Sequence, residues 1–278
     1  MNSEELRKAQ LIQLDILKEF RRICENNGLA YWLDSGTLLG AVRHGGFIPW
    51  DDDLDVGMPR KDYERFKKIV KRQLDSKYVF QDWYTTKGYG FPFGKIRKKN
   101  TLWRELQVPE LGENGLYIDI FPYDVMPIQK HNQLIQHYCV DILKRAIGVH
   151  YGDKSWRDSR GINWKRFLRY IPVFVIAIFV NDNTKLLYDR IQSKFNGSDL
   201  FECYYPSGTA VYGKYVIPKG YLDKLDSVMF EGEEFSCPSK KEKFLSIVYG
   251  DFMKLPPEEK RSIGHSIVEF SFTRSRIN

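Results

Sequence analysis

Residues 35–58 read SGTLLGAVRHGGFIPWDDDLDVGM, with four aspartates among the six residues 50–55. The alternating apolar residues after the aspartates predict a strand with at least one buried face. On such a strand Asp51, Asp53 and Asp55 point to one side, so three like charges meet at the edge of a core. These carboxylates raise one another's pKa, and a divalent cation relieves the repulsion. The stretch therefore predicts a Mg²⁺ or Mn²⁺ site that handles phosphate.

The residues before the aspartates predict an anion site beside this metal site. A short strand over residues 30–33 leads to a turn at Ser35-Gly36 and then to a short helix. Free backbone N–H groups at the start of a helix bind anions. Arg43 and His44 follow, with a glycine pair after them. A phosphate cradle and a carboxylate set within one strand–turn–helix–strand unit suit a phosphoryl or nucleotidyl donor.

This stretch resembles the signature of the LicD family, which includes bacterial phosphocholine transferases and animal fukutin-type proteins. Three later blocks resemble that family in the same order, namely FGKIRKKNT (93–101), GLYIDIFPYD (115–124) and YGDFMKLPPEEKR (249–261). The resemblance implies an α/β (α+β) fold with a nucleotidyltransferase-like mixed sheet of the polymerase-beta type. It implies one catalytic unit over residues 1–278, with a core over about 1–127 and a largely helical accessory part over about 128–278.

The resemblance also implies roles for individual residues of the first block. Ser35, Gly36 and Thr37 stand where the family fold cradles donor phosphates, with the usual Gly-Ser order reversed. Asp53 and Asp55 stand where an Asp-x-Asp pair holds the metal. Asp51 and Asp52 precede the expected strand and are interpreted as loop residues.

The later blocks supply the remaining candidates. Asp119 lies in an apolar run and is expected to complete the metal shell or to accept the proton of the acceptor hydroxyl. Asp124 fits that place less well, because Pro122 is expected to end the strand. Arg43 or Lys95 is expected to hold phosphate oxygens, with His44 nearby. A second interpretation of the basic run that contains Lys95 is a solvated strand edge, over Lys95, Arg97, Lys98 and Lys99.

The function implied is a metal-dependent phosphotransferase. It moves phosphocholine from CDP-choline to a hydroxyl of a cell-surface glycan precursor, such as lipopolysaccharide, teichoic acid or capsule, or to a lipid-linked glycan. Alternative donors are CDP-ribitol, CDP-glycerol and CDP-ethanolamine. The competing functions are nucleotidyl transfer from a nucleoside triphosphate and a non-enzymatic, cation-dependent glycan-binding module. A choline group calls for aromatic faces, and the candidates are Tyr31, Trp32, Trp50, Tyr89, Trp103 and Tyr123.

A calcium-binding EF-hand loop is disfavoured. A loop that starts at Asp51 has Val56 where the sixth residue should be glycine, and Asp62 where the twelfth should be glutamate. The formal net charge of +7 is compatible with an acidic substrate or an anionic membrane surface. Nucleic acid is not expected as a partner, since no nucleic-acid-binding motif occurs. The four cysteines lack zinc spacing and are expected to be reduced thiols of a cytoplasmic protein without a signal peptide.

The segment over residues 164–180 allows two interpretations. An apolar run over residues 171–180 follows the basic and aromatic sequence WKRFLRY. Ten residues are too few to span a bilayer, which takes about twenty in a helix. The pattern is typical of an element in the membrane interface, on the inner face of the plasma membrane, or of a buried core helix. Elsewhere the periodicity predicts helices over 3–27, 60–74, 131–147, 184–195 and 239–250, and strands over 78–84, 91–97, 116–121 and 209–217.

Overall fold

The computed structural model describes residues 1–106, 108, 112–153, 164–197, 203–206 and 215–273, with the backbone alone at 165, 166, 169 and 203–206. The helices are α1 (Ser3–Asn26), α2 (Ser35–His44), α3 (Arg60–Gln73), α4 (Lys130–His150), α5 (Trp164–Ile178), α6 (Asp182–Gln192), α7 (Lys219–Leu222) and α8 (Lys241–Tyr249). The strands are β1 (Trp32–Leu33), β2 (Asp55–Pro59), β3 (Tyr78–Gln81), β4 (Gly94–Lys98), β5 (Leu102–Glu105), β6 (Tyr117–Val125), β7 (Cys203–Pro206), β8 (Ile217–Pro218), β9 (Leu225–Phe230), β10 (Glu233–Pro238) and β11 (Ile267–Ser271).

Most expected elements are confirmed, with small shifts at their ends. Strands β5, β7, β9, β10 and β11 were not expected. Most of the strand expected over 209–217 falls outside the described residues, and β8 begins at Ile217.

The central sheet has the order β1-β2-β6-β4-β3, and β7 joins it on β6 with β8 beyond. Strands β2 and β6 are parallel, whereas their other neighbours are antiparallel. The sheet is therefore mixed, and the expected α/β (α+β) class is confirmed. Strand β6 is buried along its whole length, which places it at the centre of the core. Helices α1 and α3 contact the sheet, and the apolar stripe of α1 (Ala9, Ile16, Leu17, Phe20, Ile23) is fully buried.

Proline 122 does not end strand β6, contrary to expectation. The pairing of β6 with β4 stops at Ile120, and its pairing with β7 starts at Tyr123. The missing N–H of Pro122 therefore falls between two antiparallel neighbours, where no ladder bond is lost. Strand β6 consequently continues to Val125.

The basic strand β4 is not a solvated edge, and that expectation was wrong for Lys95 and Arg97. Strand β4 lies between β6 and β3, and both side chains are buried, with 4% and 2% exposure. Arg97 donates from Nε to Gln81 Oε1 at 2.7 Å and from Nη1 to the Gly115 carbonyl at 2.8 Å. Buried cations persist only where such partners exist.

A second apolar core lies among the helices after β6. Helices α4, α5 and α6 pack on one another and on Trp83 and Tyr89. The Arg60 guanidinium, at the start of α3, forms a bidentate pair with the buried Asp124 carboxylate at 2.9 and 2.6 Å. Asn196 donates to the same carboxylate at 2.6 Å, and Asp189 on α6 lies 3.6 Å from Arg60. This network links the helical layer to the sheet. The Asp124 carboxylate is bound by Arg60 and Asn196 and does not line the cavity described next.

Candidate functional site

A cavity of about 380 Å³ lies where β2 and β6 begin and α2 starts. Asp55 stands opposite Asp119 in the parallel register, and the Asp119 N–H donates to the Leu54 carbonyl at 2.9 Å. The structure thus brings Asp119 into the same cavity as Asp53 and Asp55, which lie 66 and 64 positions earlier in the sequence. The residues that line the cavity are Asp34, Ser35, Gly36, Asp51, Asp53, Asp55, Asp119, Phe121, Tyr215, Tyr249 and His265.

The aspartate segment is mostly a loop rather than a strand. Strand β2 begins only at Asp55, so the expected alternation from Asp51 was wrong. Asp51 and Asp53 nevertheless line the cavity, whereas Asp52 is buried away from it. Two buried glutamines of α1 hold this loop: Gln10 Nε2 donates to the Ile48 and Asp51 carbonyls at 3.2 and 2.9 Å, and Gln13 Nε2 to the Asp52 carbonyl at 2.9 Å.

The start of α2 forms the opposite wall. Asp34 caps the helix, accepting from the Ser35 N–H at 2.7 Å and from the Tyr123 hydroxyl at 2.7 Å. Ser35 is the first helical residue, with φ of 44°, a region that side chains other than glycine seldom adopt. A Cβ atom at Gly36 would lie 2.8 Å from Asp51 Oδ2, so only glycine lets this carboxylate approach.

Thr37 does not line the cavity. Its Oγ1 instead accepts from the Asp55 N–H at 2.8 Å and fastens β2 to α2. Its contribution is therefore to hold the Asp55 main chain beside the helix start.

The electrostatics of the cavity follow from burial and like charge. Burial raises the pKa of Asp55 well above its ordinary value, and the charges of Asp53 and Asp119 raise it further. Burial first, and then Asp53, raise the pKa of Asp51 to about 8. Burial raises the pKa of Asp34 to about 6, and it also raises that of Asp119, although the Lys95 ammonium opposes this shift. The cavity therefore gathers carboxylates that a cation would stabilise.

The carboxylates fit a divalent metal by chemistry, because Mg²⁺ and Mn²⁺ prefer oxygen ligands. Among the described residues, however, no three His, Cys, Asp or Glu side chains are arranged to hold a metal ion as they stand. Lys95 Nζ also occupies one side of Asp119, 2.6 Å from Oδ1. Binding a cation between Asp53, Asp55 and Asp119 therefore requires these side chains to draw together.

Besides Thr37, three residues expected to bind substrate do not line the cavity. Lys95 is committed to Asp119 and lies over the Tyr117 ring at 3.5 Å. Arg43 Nη1 donates to the Phe252 carbonyl at 2.8 Å. The His44 ring stands edge-on to Trp50, with 6.1 Å between centroids. The six aromatic candidates for a choline site also lie elsewhere, and the aromatic residues of the cavity are Phe121, Tyr215 and Tyr249.

His265 is a cavity residue that the sequence did not reveal. Asp52 Oδ1 accepts from the Gly264 and His265 N–H groups at 3.0 and 3.3 Å and lies 3.3 Å from His265 Nδ1. The bond to Asp52 is the main cause that raises the pKa of His265 to about 9. Asp34, Phe121, Tyr215 and Tyr249 were also missed, although Asp34 is a typical N-cap residue before a helix and Tyr249 begins the block YGDFMKLPPEEKR. Gln10 and Gln13, which hold the loop, could have been noticed in the sequence, because they are polar residues beside the apolar stripe of α1.

The comparisons with known proteins agree with this geometry. A family model described as LicD/FKTN/FKRP, nucleotidyltransferase domain, matches residues 28–145. The chain is 29% identical over 272 residues to lipopolysaccharide cholinephosphotransferase LicD of Haemophilus influenzae, a match that covers 94% of this chain and 96% of that protein. The chain resembles the LicD family along nearly its whole length. The resemblance inferred from the sequence is thereby confirmed.

Two further relatives match shorter stretches of this chain. Human ribitol 5-phosphate transferase FKRP is 52% identical over 101 residues, which cover 36% of this chain and 18% of that protein. Mouse ribitol-5-phosphate transferase FKTN is 29% identical over 111 residues, 38% of this chain and 20% of that protein. These relatives confirm the expected enzyme class, a phosphotransferase.

Proposed function

We propose that this protein transfers a phospho-alcohol from a CDP-activated donor to a hydroxyl of a cell-surface glycan precursor. The observation that carries the proposal is the placement of Asp51, Asp53, Asp55 and Asp119 against the start of α2 in one cavity. This arrangement offers backbone N–H groups for phosphate oxygens and carboxylates for a divalent cation. CDP-choline is the leading donor, because the full-length relative is named a cholinephosphotransferase. CDP-ribitol, CDP-glycerol and CDP-ethanolamine remain the alternatives.

The chemistry assigns a task to each wall of the cavity. The acceptor oxygen attacks the phosphorus that carries the alcohol, the bond from that phosphorus to the bridging oxygen breaks, and CMP leaves with the electron pair. The start of α2, at Ser35 and Gly36, orients the phosphates. Mg²⁺ or Mn²⁺ held by Asp53, Asp55 and Asp119 would neutralise the charge that builds on the leaving oxygen. If the cation is held by Asp53 and Asp55 alone, Asp119 is instead placed to accept the hydroxyl proton.

The aromatic side chains of the cavity bear on the choice of donor. Phe121, Tyr215 and Tyr249 line it beside the carboxylates. Aromatic faces attract a quaternary ammonium through cation–π interaction, worth about 0.5–2 kcal/mol. Neutral ribitol and glycerol gain nothing of this kind. We therefore assign these three residues to the choline group of the donor.

The donor class can be tested by thermal stabilisation followed by product analysis. The melting midpoint is measured with CDP-choline, CDP-ribitol, CDP-glycerol, CDP-ethanolamine and CTP, each with and without Mg²⁺, for the wild type and Asp53→Asn. A ligand at 100 times its Kd adds about 2.7 kcal/mol of stability. We expect a Mg²⁺-dependent rise with CDP-choline that Asp53→Asn loses, and release of CMP on prolonged incubation.

Two contrary outcomes would point to the competing functions. Release of pyrophosphate from CTP would indicate nucleotidyl transfer. Stabilisation by Mg²⁺ alone, with no nucleotide effect, would contradict the transferase proposal and favour a cation-dependent glycan-binding module. Asp15→Asn, an exposed carboxylate on α1, is the matched control and should behave as the wild type does.

Helix α5 supports a peripheral membrane contact on the cytoplasmic side. None of the described helices is long and apolar enough to cross a bilayer. Tyr170, Val173 and Ala177 are buried against the second core, whereas the opposite face is apolar and exposed, with 75% exposure at Ile178 and 54% at Val175. The α5 sequence has three basic residues and no acidic one, so its charge complements an anionic lipid surface.

The contact can be tested by co-sedimentation with vesicles that contain phosphatidylglycerol. Ile178→Glu and Val175→Glu should each reduce the sedimented fraction severalfold without lowering the melting midpoint, because both side chains face away from the core. Leu11→Glu, at an apolar site on α1 with 46% exposure, should leave sedimentation unchanged. Phe174 is a poor probe, since it packs against the second core. Equal sedimentation of all variants would refute the contact.

A further inference from the structure

A segment from the C-terminal part of the chain, residues 252–271, is fixed beside the cavity at several points. At one end Arg43 binds the Phe252 carbonyl, and the Arg261 guanidinium lies over the Trp50 ring at 5.5 Å. At the other end β11 pairs with β5 in an antiparallel ladder. We call residues 252–271 the C-terminal strap. His265 lies between these anchors and lines the cavity.

Asp52 fixes the middle of the strap. Its side chain is 0% exposed, and Oδ1 accepts the two backbone N–H groups of Gly264 and His265. The same oxygen faces His265 Nδ1 at 3.3 Å. The other ring nitrogen, Nε2, is then directed to the carboxylates, 4.0 Å from Asp53 Oδ2. The imidazole is therefore held by one nitrogen and presents the other to the cavity.

Apart from the start of α2, the cavity has few groups that could bind a diphosphate. Among the described residues that line it, five are aspartates and His265 has the only basic side chain. Lys95 is engaged with Asp119, and Arg43 with the main chain at Phe252. Phosphate oxygens accept hydrogen bonds from N–H donors. The side chain placed to supply one is His265.

We propose that His265 is a catalytic residue whose Nε2–H donates a hydrogen bond to a phosphate oxygen of the donor's diphosphate. The inference rests on the proposed function, because it takes the donor to be a diphosphate. Asp52 Oδ1 accepts a hydrogen bond from Nδ1–H and so sets the direction of the ring. As the phosphorus–oxygen bond breaks and CMP leaves, the N–H group offsets the negative charge that builds on the diphosphate.

His265→Ala separates this role from the structural role of the strap. The two backbone N–H groups still bind Asp52 in the variant, so the strap stays anchored and the melting midpoint should change little. We expect kcat/KM for the CDP-alcohol that the wild type turns over to fall about 100-fold, mostly in kcat. His265→Gln keeps an N–H donor and should lose less. His131→Gln, an exposed histidine at the start of α4, is the matched control.

A second readout needs no turnover. The full-length protein is labelled with ¹⁵N-histidine, which gives signals from five residues, and His265 is assigned by its absence in His265→Gln. Titration with inorganic pyrophosphate, without metal, should shift the His265 Nε2 resonance and leave that of His131 unchanged. A residue that only anchors the strap would show no such shift.

The outcomes separate this inference from the proposed function. If pyrophosphate shifts His265 Nε2 but no CDP-alcohol is turned over, the proposed function fails and the phosphate contact stands. If a CDP-alcohol is turned over equally by the wild type and His265→Ala, and the resonance does not move, the proposed function stands and the role of His265 is overturned. A loss of activity that only accompanies a lower melting midpoint, with no resonance shift, also overturns it.

Discussion

Asp55→Asn is expected to abolish transfer and, in the absence of metal, to make the protein more stable. The native fold holds this carboxylate in a buried position beside Asp53 and Asp119. Replacing it with a neutral amide of the same shape removes the repulsion, for a gain of about 1 kcal/mol. In a chain of this size that corresponds to about 2–4 °C in the melting midpoint. The loss of a metal ligand should reduce kcat by a factor on the order of 10³.

The measurement is the melting midpoint in EDTA and in MgCl₂. In EDTA the variant should melt above the wild type, and in MgCl₂ the order should reverse, because the wild type alone gains from the cation. The folded-state pKa of Asp55 is raised above its unfolded value. The cost in folding free energy that this carboxylate imposes on the wild type is therefore absent at acid pH, and it grows as the pH rises from the unfolded-state pKa towards the folded-state pKa. Asp15→Asn should change the free energy of unfolding by no more than about 0.5 kcal/mol in either condition. An Asp55→Asn protein that keeps the full Mg²⁺ shift would remove Asp55 from the proposed ligand set.

Arg60→Met is expected to destabilise the protein strongly without touching the cavity. The substitution leaves the Asp124 carboxylate, which is 0% exposed, with only Asn196 as a side-chain donor. Breaking a buried ion pair by removing one partner costs about 3–5 kcal/mol. The melting midpoint should therefore fall by roughly 10 °C. Chemical unfolding followed by circular dichroism measures the change in free energy.

Two controls sharpen this prediction. Arg65→Met removes an exposed ion pair with Asp62 on the same helix and should cost less than about 1 kcal/mol. The double variant Arg60→Met/Asp124→Leu should recover most of the lost stability, because the fully buried Asp124 charge is removed together with its partner. A single variant as stable as Arg65→Met would contradict the structural role given to this network.

The sequence was most informative where function depends on one local pattern. The aspartate segment and the strand around Asp119 identified the carboxylates, because acidic residues within short apolar runs are costly to bury unless a cation binds them. The helices followed from periodicity. The burial of Lys95 and Arg97 could not be predicted, since their partners Asp119, Gln81 and Gly115 become neighbours only when β4 enters the sheet between β3 and β6.

The cavity itself depends on contacts that no local pattern encodes. Asp52 and Gly264 are 212 residues apart in sequence, and the segment around His265 has no motif of its own. The start of α2 was misplaced by two residues, because the turn expected at Ser35-Gly36 is already part of the helix. For the same reason, the role of Asp34 as the N-cap of α2 was not predicted.

The bond between Asp52 and the C-terminal strap has a consequence for biosynthesis. Translation delivers the five aspartates of the cavity long before it delivers His265, and closing a loop of 212 residues is a late event in folding. A nascent or prematurely terminated chain would therefore display the carboxylates without the imidazole that faces them. We expect activity to appear only once the whole polypeptide has been made, so that incomplete products compete for metal but not for donor turnover.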